Sequence, residues 1–392
     1  MKSFIADTLR QVEENQRLTQ AGTAGPVGSQ EDAELEKMLE GLRVDVRIFG
    51  CGGGGSNTIN RLVESGIHGA ELFALNTDAS HLLHVNAPHK LLLGKRLTRG
   101  LGAGALPQVG EEAAREAEED IRRHTSGSDI AFVTCGLGGG TGTGSAPVVA
   151  KMAKDAGALT IGVVTLPFSA EGHTRMQNAQ YGLDSLRHVC DTVIVIPNDK
   201  LLEIAPKLPL DMAFKVADEV LMRAIRGITE MITTPGLVNL DFNDLKTIMQ
   251  NGGMAMVGIG ESTDPREKAQ EAVTGALNSP LIDVDISQAH GALVDVRGGD
   301  DMTIQEAEGV VSEIGRHIHP QARIIWGASV VPSLQNTMQV MVVLTGVVAR
   351  ETKAPAAAAA KAGAKQAPKP APAAPPTPAA GRGHGGSIDF IR

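Results

Sequence analysis

Gly138-Gly139-Gly140-Thr141-Gly142-Thr143-Gly144 follows directly on the apolar run Asp129-Ile130-Ala131-Phe132-Val133-Thr134-Cys135 and precedes Ser145-Ala146-Pro147. A strand is expected to end at the first glycines and a helix to begin at Ser145. Glycines have no Cβ, so successive backbone N–H groups can turn inward onto an anion, and the positive end of the following helix adds to the attraction. The expected guest is phosphate. A flexible glycine-rich linker is the plain alternative, but such linkers are usually rich in serine and do not sit between a strand and a helix. No Lys-Ser or Lys-Thr follows the glycines, so this is not a P-loop, and the backbone itself has to hold the phosphate.

A second run, Gly50-Cys51-Gly52-Gly53-Gly54-Gly55-Ser56-Asn57, follows the apolar residues 44–49 and opens a helix. Through Gly50, Gly52 and Gly55 it also satisfies Gly-x-Gly-x-x-Gly, with Asp78 beyond the next strand, so a Rossmann-type NAD(P)-dependent oxidoreductase is a rival. A dinucleotide domain needs one such loop. This chain has the richer loop after its fourth strand and a third small-residue turn, Gly100-Leu101-Gly102-Ala103-Gly104-Ala105. Three backbone cradles suit a mononucleotide with several phosphates, and Asn76-Thr77-Asp78 adds polar groups at the end of the second strand.

At 392 residues the chain is long enough for a two-domain body with tails. Its net charge of -9 argues against wrapping nucleic acid, so no nucleic-acid partner is expected. Cys51, Cys135 and Cys190 lie far apart without metal spacing and read as small core residues of a protein in a reducing cytoplasm. The N-terminus has no apolar core of signal-peptide type, and no apolar run reaches the roughly 18 residues of a membrane span.

Short apolar runs at residues 44–49, 71–75, 90–93, 130–134, 159–165 and 192–196 read as strands separated by amphipathic segments. Alternation of this kind implies an α/β fold, a parallel sheet covered on both faces with its ligand at the carboxyl ends of the strands. Residues 210–232 read as one long helix with Phe214, Val216, Ala217, Val220, Leu221, Ala224, Ile225 and Ile228 buried. Strands at 255–259, 292–296, 322–326 and 338–344, with helices near 265–277 and 303–316, read as a smaller α+β domain. Beyond Arg350 the composition collapses to Ala, Pro, Lys and Gly, expected to be an extended linker, before apolar residues return in Ser387-Ile388-Asp389-Phe390-Ile391-Arg392. A short apolar terminus on a linker is the form of a docking peptide.

These segments, in order and at compatible spacing over about residues 44–345, resemble the FtsZ family of prokaryotic tubulin-like GTPases. The resemblance implies an N-terminal extension over residues 1–42, a GTP-binding domain over 43–209 and a central helix over 210–233. A C-terminal domain over 234–349, a linker over 350–384 and a docking peptide over 385–392 would follow. It implies that Gly53, Gly54, Gly55, Ser56 and Asn57 lie under the nucleotide. Ala103 and Gly104 would lie near the γ-phosphate, and Gly140, Thr141 and Gly142 against the α- and β-phosphates. Glu171 and Arg175 match the ribose side; on their own they are a solvated pair at a helix start. Asn198, Asp218 and Phe214 would read the base. A carboxylate accepts from guanine N1–H and N2–H₂ but faces the wrong groups on adenine, which favours GTP and GDP over ATP. Asp218 also reads simply as the wet face of its helix.

Asn239-Leu240-Asp241-Phe242-Asn243-Asp244 follows the long helix, and by itself Asp241 reads as a helix N-cap with Asp244 one turn on. The resemblance makes it the family's synergy loop, which enters the nucleotide pocket of the neighbouring subunit. Asp241 and Asp244 would polarise the attacking water and Asn239 would order the loop. Head-to-tail contact would build a homopolymer, Mg²⁺ would be held mainly through the phosphates, and the C-terminal peptide would bind a membrane-anchored division adaptor at a midcell ring. Leu106, the long N-terminal extension and the loosely matching terminus point to an archaeal-type member. A non-polymerising tubulin-like regulator is the remaining alternative. His81, His84 and His89, and His317 with His319, lack partners at metal-binding spacing and read as surface residues.

Overall fold

The computed structural model describes residues 44–204, 209–234, 236–238 and 240–347. The N-terminal extension, the linker, the docking peptide and Asn239 lie outside the described residues. Strands that are continuously apolar are stable where both faces are covered, and β1 (Val46–Cys51) is of that kind, with five of its six residues buried. The chain continues through α1 (Gly52–Glu64), β2 (Ala70–Asn76), α2 (Ala79–His84), β3 (His89–Leu92), α3 (Pro107–Glu116), α4 (Glu118–Thr125) and β4 (Ile130–Gly136). Next come α5 (Thr141–Asp155), β5 (Leu159–Leu166), α6 (His173–Val189), β6 (Thr192–Pro197), α7 (Asn198–Ile204) and the long α8 (Leu210–Thr233). The rest comprises α9 (Phe242–Met249), β7 (Gly253–Ser262), α10 (Lys268–Leu277), β8 (Gly291–Gly298), α11 (Ile304–His317), β9 (Arg323–Val330) and β10 (Met338–Thr345).

All ten strands form one sheet in the order β3-β2-β1-β4-β5-β6-β7-β10-β8-β9. The first six are parallel, and their order reverses between β1 and β4. Chains leaving those two strands therefore diverge and open a crevice at their carboxyl ends. A dinucleotide fold shares this order, so topology alone does not separate the two sequence readings. The smaller α+β part is joined to the first by a parallel pair, Thr192↔Gly253 to Ile194↔Ala255, and β10 then lies antiparallel between β7 and β8.

One face of the parallel half is covered by Ile59 and Leu62 of α1, the apolar stripe of α8, and Leu245 and Met249 of α9. The other face packs Ala113 and Ala114 of α3, Ile121 of α4, and α5 and α6 around Phe49, Val133 and Val164. Cys51, Cys135 and Cys190 are all buried and unpaired, and burial pushes Cys51 and Cys190 up to about 12. They are core thiols. Of the apolar positions expected to be buried in α8, Val216 is half-buried and Phe214 is 38 % exposed, because Phe214 faces the crevice and not the sheet. Arg297 of β8 ties the C-terminal strands to α8 through Glu230 at 3.0 Å while holding the buried Asp295 at 2.7 Å. No helix among the described residues is long and apolar enough to cross a membrane.

The helix after the glycine run starts four residues earlier than expected, at Thr141 and not Ser145, so Pro147 falls inside it. Pro147 removes only the bond to the Thr143 carbonyl, and the helix continues through it. Close packing explains why glycines can be helical here. A Cβ on Gly144 would lie 1.9 Å from the Pro107 carbonyl oxygen and 2.6 Å from the Glu111 nitrogen. Neither backbone atom can step aside. Gly144→Ala is therefore expected to destabilise the protein by about 1–3 kcal/mol, read as a lowered urea midpoint; an unchanged midpoint would show that α3 and α5 are free to separate.

Candidate nucleotide site

A cavity of about 420 Å³ lies over the carboxyl ends of β1, β4 and β5 and is lined from five directions. The start of α1 supplies Gly53, Gly54 and Asn57; Gly136, Leu137, Gly139, Gly140, Thr141 and Gly142 come from β4 and α5, and Gly104 from the third small-residue turn. Thr165, Pro167, Glu171 and Arg175 form a fourth wall, and Asn198, Phe214, Ala217 and Asp218 a fifth.

β1 passes into α1 with no intervening loop because Gly52 has φ +70°, a conformation that reverses the chain in one residue. A Cβ there would lie 2.6 Å from the Gly142 nitrogen, so the two glycine runs press against each other and form one floor. Gly53 and Gly139 differ: a Cβ on either meets nothing within 4 Å, so each faces open cavity. Gly55 and Ser56 lie behind the floor and do not line the cavity. Gly55 packs so tightly that a Cβ would stand 2.4 Å from the Thr134 carbonyl oxygen, and the Ser56 side chain is fully buried.

The third turn crosses the cavity mouth and is pinned by backbone. Gly102 N–H donates to the Thr77 carbonyl at 3.1 Å, and Gly140 N–H donates to the Gly104 carbonyl at 3.0 Å. Gly140 thus binds the neighbouring loop with the N–H that the sequence offered to phosphate, and a Cβ on it would strike Gly104 O at 2.4 Å. Gly104 itself has φ +59° and is exposed, whereas Ala103 is buried and outside the lining. Thr141 hydrogen-bonds Thr77 hydroxyl to hydroxyl at 2.6 Å, and Thr143 Oγ1 accepts from Gly138 N–H at 2.9 Å, which orders the glycine run. Asn76 and Asp78 are engaged with α2: Asn76 Nδ2 lies 3.2 Å from His81 Nδ1, and Asp78 accepts from His81 N–H at 3.0 Å as the helix N-cap. Asp78 is therefore occupied away from the cavity.

Glu171 is more than a solvated partner. One carboxylate oxygen accepts from the Phe168 N–H at 2.9 Å and the other pairs with Arg175, so it shapes the turn after β5 and aims the guanidinium along the wall. At the far end, Phe214 meets Phe168 edge-on with ring centroids 5.2 Å apart, which leaves a braced aromatic face for a planar base. The Asn198 side-chain oxygen is buried with no hydrogen-bond partner, an acceptor suited to a donor on the guest. Beside it, burial pushes the Asp218 carboxyl up to about 6, opposed by Arg61, whose Nε lies 3.5 Å from Asp218 Oδ2. A carboxylate and an amide oxygen next to an aromatic face match the two N–H edges of guanine.

A pH effect follows from that burial. Only the ionised carboxylate can accept from both guanine N1–H and N2–H₂, so binding favours the deprotonated form and releases protons. The preference for GDP over inosine diphosphate, which lacks N2–H₂, should be full above pH about 6 and fall by up to about tenfold per unit below it. Competition binding from pH 5 to 8 checks this, and a preference flat across that range would remove Asp218 from the base contact.

Asp241 and Asp244 are exposed and belong to neither wall of the cavity. Asp241 is the N-cap of α9, accepting from Asn243 N–H at 2.9 Å, as the residues alone suggested. Cavity residues that sequence reasoning missed are Gly136, Leu137, Gly139, Thr165, Pro167 and Ala217. Gly139 stood in the quoted motif, Thr165 ends a recognised strand and Pro167 follows it; the position at a strand's carboxyl end was the signal that could have found them. No group of three or more His, Cys, Asp or Glu among the described residues could hold a metal ion.

Residues 45–206 match the model of the Tubulin/FtsZ family, GTPase domain, and residues 253–348 match that of the FtsZ family, C-terminal domain. Cell division protein FtsZ 1 of Archaeoglobus fulgidus is 57% identical over 349 residues, spanning 88% of this chain and 93% of its own length. Cell division protein FtsZ of Haloferax mediterranei is 60% identical over 320 residues, 82% of this chain and 85% of its own. An empty FtsZ dimer from M. jannaschii superposes with a TM-score of 0.78 at 54% identity, covering 81% of this chain and 93% of that one. CetZ2 from Haloferax volcanii, solved as a GTPγS-bound protofilament, shares the fold with a TM-score of 0.68 at 20% identity. With family models spanning both halves of the sheet and relatives above half identity over most of the length, this chain belongs to the FtsZ family of tubulin-like GTPases.

Proposed function

We propose that this protein is a cell-division GTPase that assembles head to tail, each filament contact completing one hydrolytic site. The observation that carries this is the separation of binding and catalytic groups along α8. Asp218 lies near its start and the Asp241 loop follows its end at Thr233, about 22 Å further along the helix axis. α9 then feeds β7 at Gly253, beside Thr192 at the amino end of β6, whereas the cavity opens at the carboxyl ends. No side chain spans that distance. A second copy placed end to end brings its Asp241 and Asp244 to the phosphates, and such a heterologous contact does not close, so it propagates as a filament.

In that arrangement the glycine floor and the Arg175 side hold the nucleotide, while Asp241 and Asp244 orient and polarise the water that attacks the γ-phosphorus. Backbone N–H groups face the charge that grows on the phosphoryl oxygens of a loose transition state. When bound, Mg²⁺ would be held mainly through the phosphates of the nucleotide and would supply charge neutralisation there. Asn239 orders the loop. Loss of the γ-phosphate weakens the contact, and the filament turns over. The C-terminal peptide tethers the filament to a membrane-anchored adaptor at the cytoplasmic face of the division site.

The deciding experiment is the GTP hydrolysis rate per subunit across a protein concentration series with Mg²⁺. A threshold followed by a steep rise supports a shared site. A rate per subunit that stays flat from nanomolar to micromolar protein means a self-contained site, and no hydrolysis with retained GTP binding means a non-polymerising regulator.

A further inference from the structure

We infer that Arg61 is a positioning residue for guanine selection, holding the Asp218 carboxylate in the orientation from which it accepts from the base. The inference rests on the reading of Asp218 as the base-reading carboxylate. Arg61 stands four residues after Asn57 on α1, hence on the same face, but it does not line the cavity. It acts through Asp218. Its Nε lies 3.5 Å from Asp218 Oδ2 and its Nη1 3.9 Å from Glu219 Oε2, with the two acids adjacent on α8. A forked guanidinium suits that pair where a point charge would not. Glu219 is also engaged by Arg223, whose Nε donates to it at 3.0 Å, so the shorter Arg61 contact is the one to Asp218.

The consequence is a mechanical and electrostatic tie between the helix under the phosphates and the helix that reads the base. Both partners are largely shielded, the Arg61 side chain 27% and the Asp218 side chain 18% exposed, so water screens the contact less than at an open surface. Arg61 from α1 contacts Asp218, while Glu219, Arg223 and Lys215 share its helix and the Glu171–Arg175 pair lines the same cavity. Lys215 has an interaction of its own, and Arg223 and Arg175 are each paired with another acid. Arg61 is the group that opposes the effect of burial on the Asp218 carboxyl. Without it, the carboxylate protonates at higher pH and is free to turn from the base.

The test measures GDP and inosine diphosphate affinity of the full chain from pH 5 to 8 for wild type, Arg61→Gln, Arg61→Lys and Asp218→Asn. Arg61→Gln is expected to cut the preference for GDP roughly tenfold and to raise by about one unit the pH at which preference is lost. Arg61→Lys is expected to restore that pH midpoint, which a merely structural role would not do. Arg61→Met keeps the aliphatic stem and is read in the same way should the glutamine variant fail to fold. An Arg61 variant with wild-type preference and midpoint, alongside an Asp218→Asn that loses the preference, overturns the role of Arg61 and leaves Asp218 in place. An Asp218→Asn that keeps the preference overturns both.

Discussion

Asp241→Asn is expected to lower steady-state GTP hydrolysis per subunit by at least about 100-fold, the scale of a lost general base, while GTP affinity and thermal stability stay at wild-type values. The two roles of Asp241 make this separable. As the N-cap of α9 it accepts from Asn243 N–H at 2.9 Å, and asparagine retains an oxygen that can do the same. What asparagine lacks is the negative charge that polarises water. Asp241→Ala removes both, so it should add about 1 kcal/mol of destabilisation to the same loss of rate. Nucleotide affinity should not move in either variant, because the residue is exposed at the opposite end of α8 from the cavity. Titration with a fluorescent GTP analogue, phosphate release and a thermal melt on the same preparations check all three. An Asp241→Asn protein that hydrolyses GTP normally would return this residue to capping alone.

Gly139→Ala is expected to weaken GTP binding by about 1–3 kcal/mol, roughly 5–150-fold in Kd, without moving the urea midpoint. The reason lies in what the added methyl meets. Within the protein it meets nothing within 4 Å, so folding has no clash to resolve, but it occupies cavity where a phosphate oxygen would approach the backbone. Gly53→Ala should behave alike on the facing side of the floor. Gly144, five residues on, has the opposite signature, with backbone atoms where the methyl would go. If Gly139→Ala binds GTP as tightly as wild type, the phosphates do not lie on the α5 side of the cavity, and the floor is formed by α1 alone.

Those two glycines show where sequence reasoning stops. Every glycine of the 138–144 run has the same local promise, an amide unobstructed by a side chain, and nothing in the order of letters says which amide faces the guest. The fold divides them: Gly139 is open to the cavity, Gly140 bonds the Gly104 carbonyl, and Gly144 lets α3 approach α5. Gly55, Ser56 and Ala103 belong to the same lesson, since they sit within matched motifs yet lie behind the cavity wall. Glu171 illustrates the converse. A plain helix-start carboxylate by spacing, it becomes the acid that binds the Phe168 backbone and aims Arg175.

The alternation of strands and helices, the long α8, the glycine floor at strand ends and the acidic cap at Asp241 were all legible in the residues alone. Each of these is written in neighbouring residues, through side-chain period, missing Cβ atoms or a cap's hydrogen bond, and so needs no knowledge of what packs against it. Which glycines are packed and which are open is settled by how the helices close on the sheet. Folding also decides that β6 and β7 pair into one sheet, that Arg61 reaches Asp218, and that Asp241 stands past the far end of α8 from Asp218. These are contacts between residues tens to hundreds of positions apart, fixed by burial of whole helix faces against the sheet, and no local pattern encodes their distance.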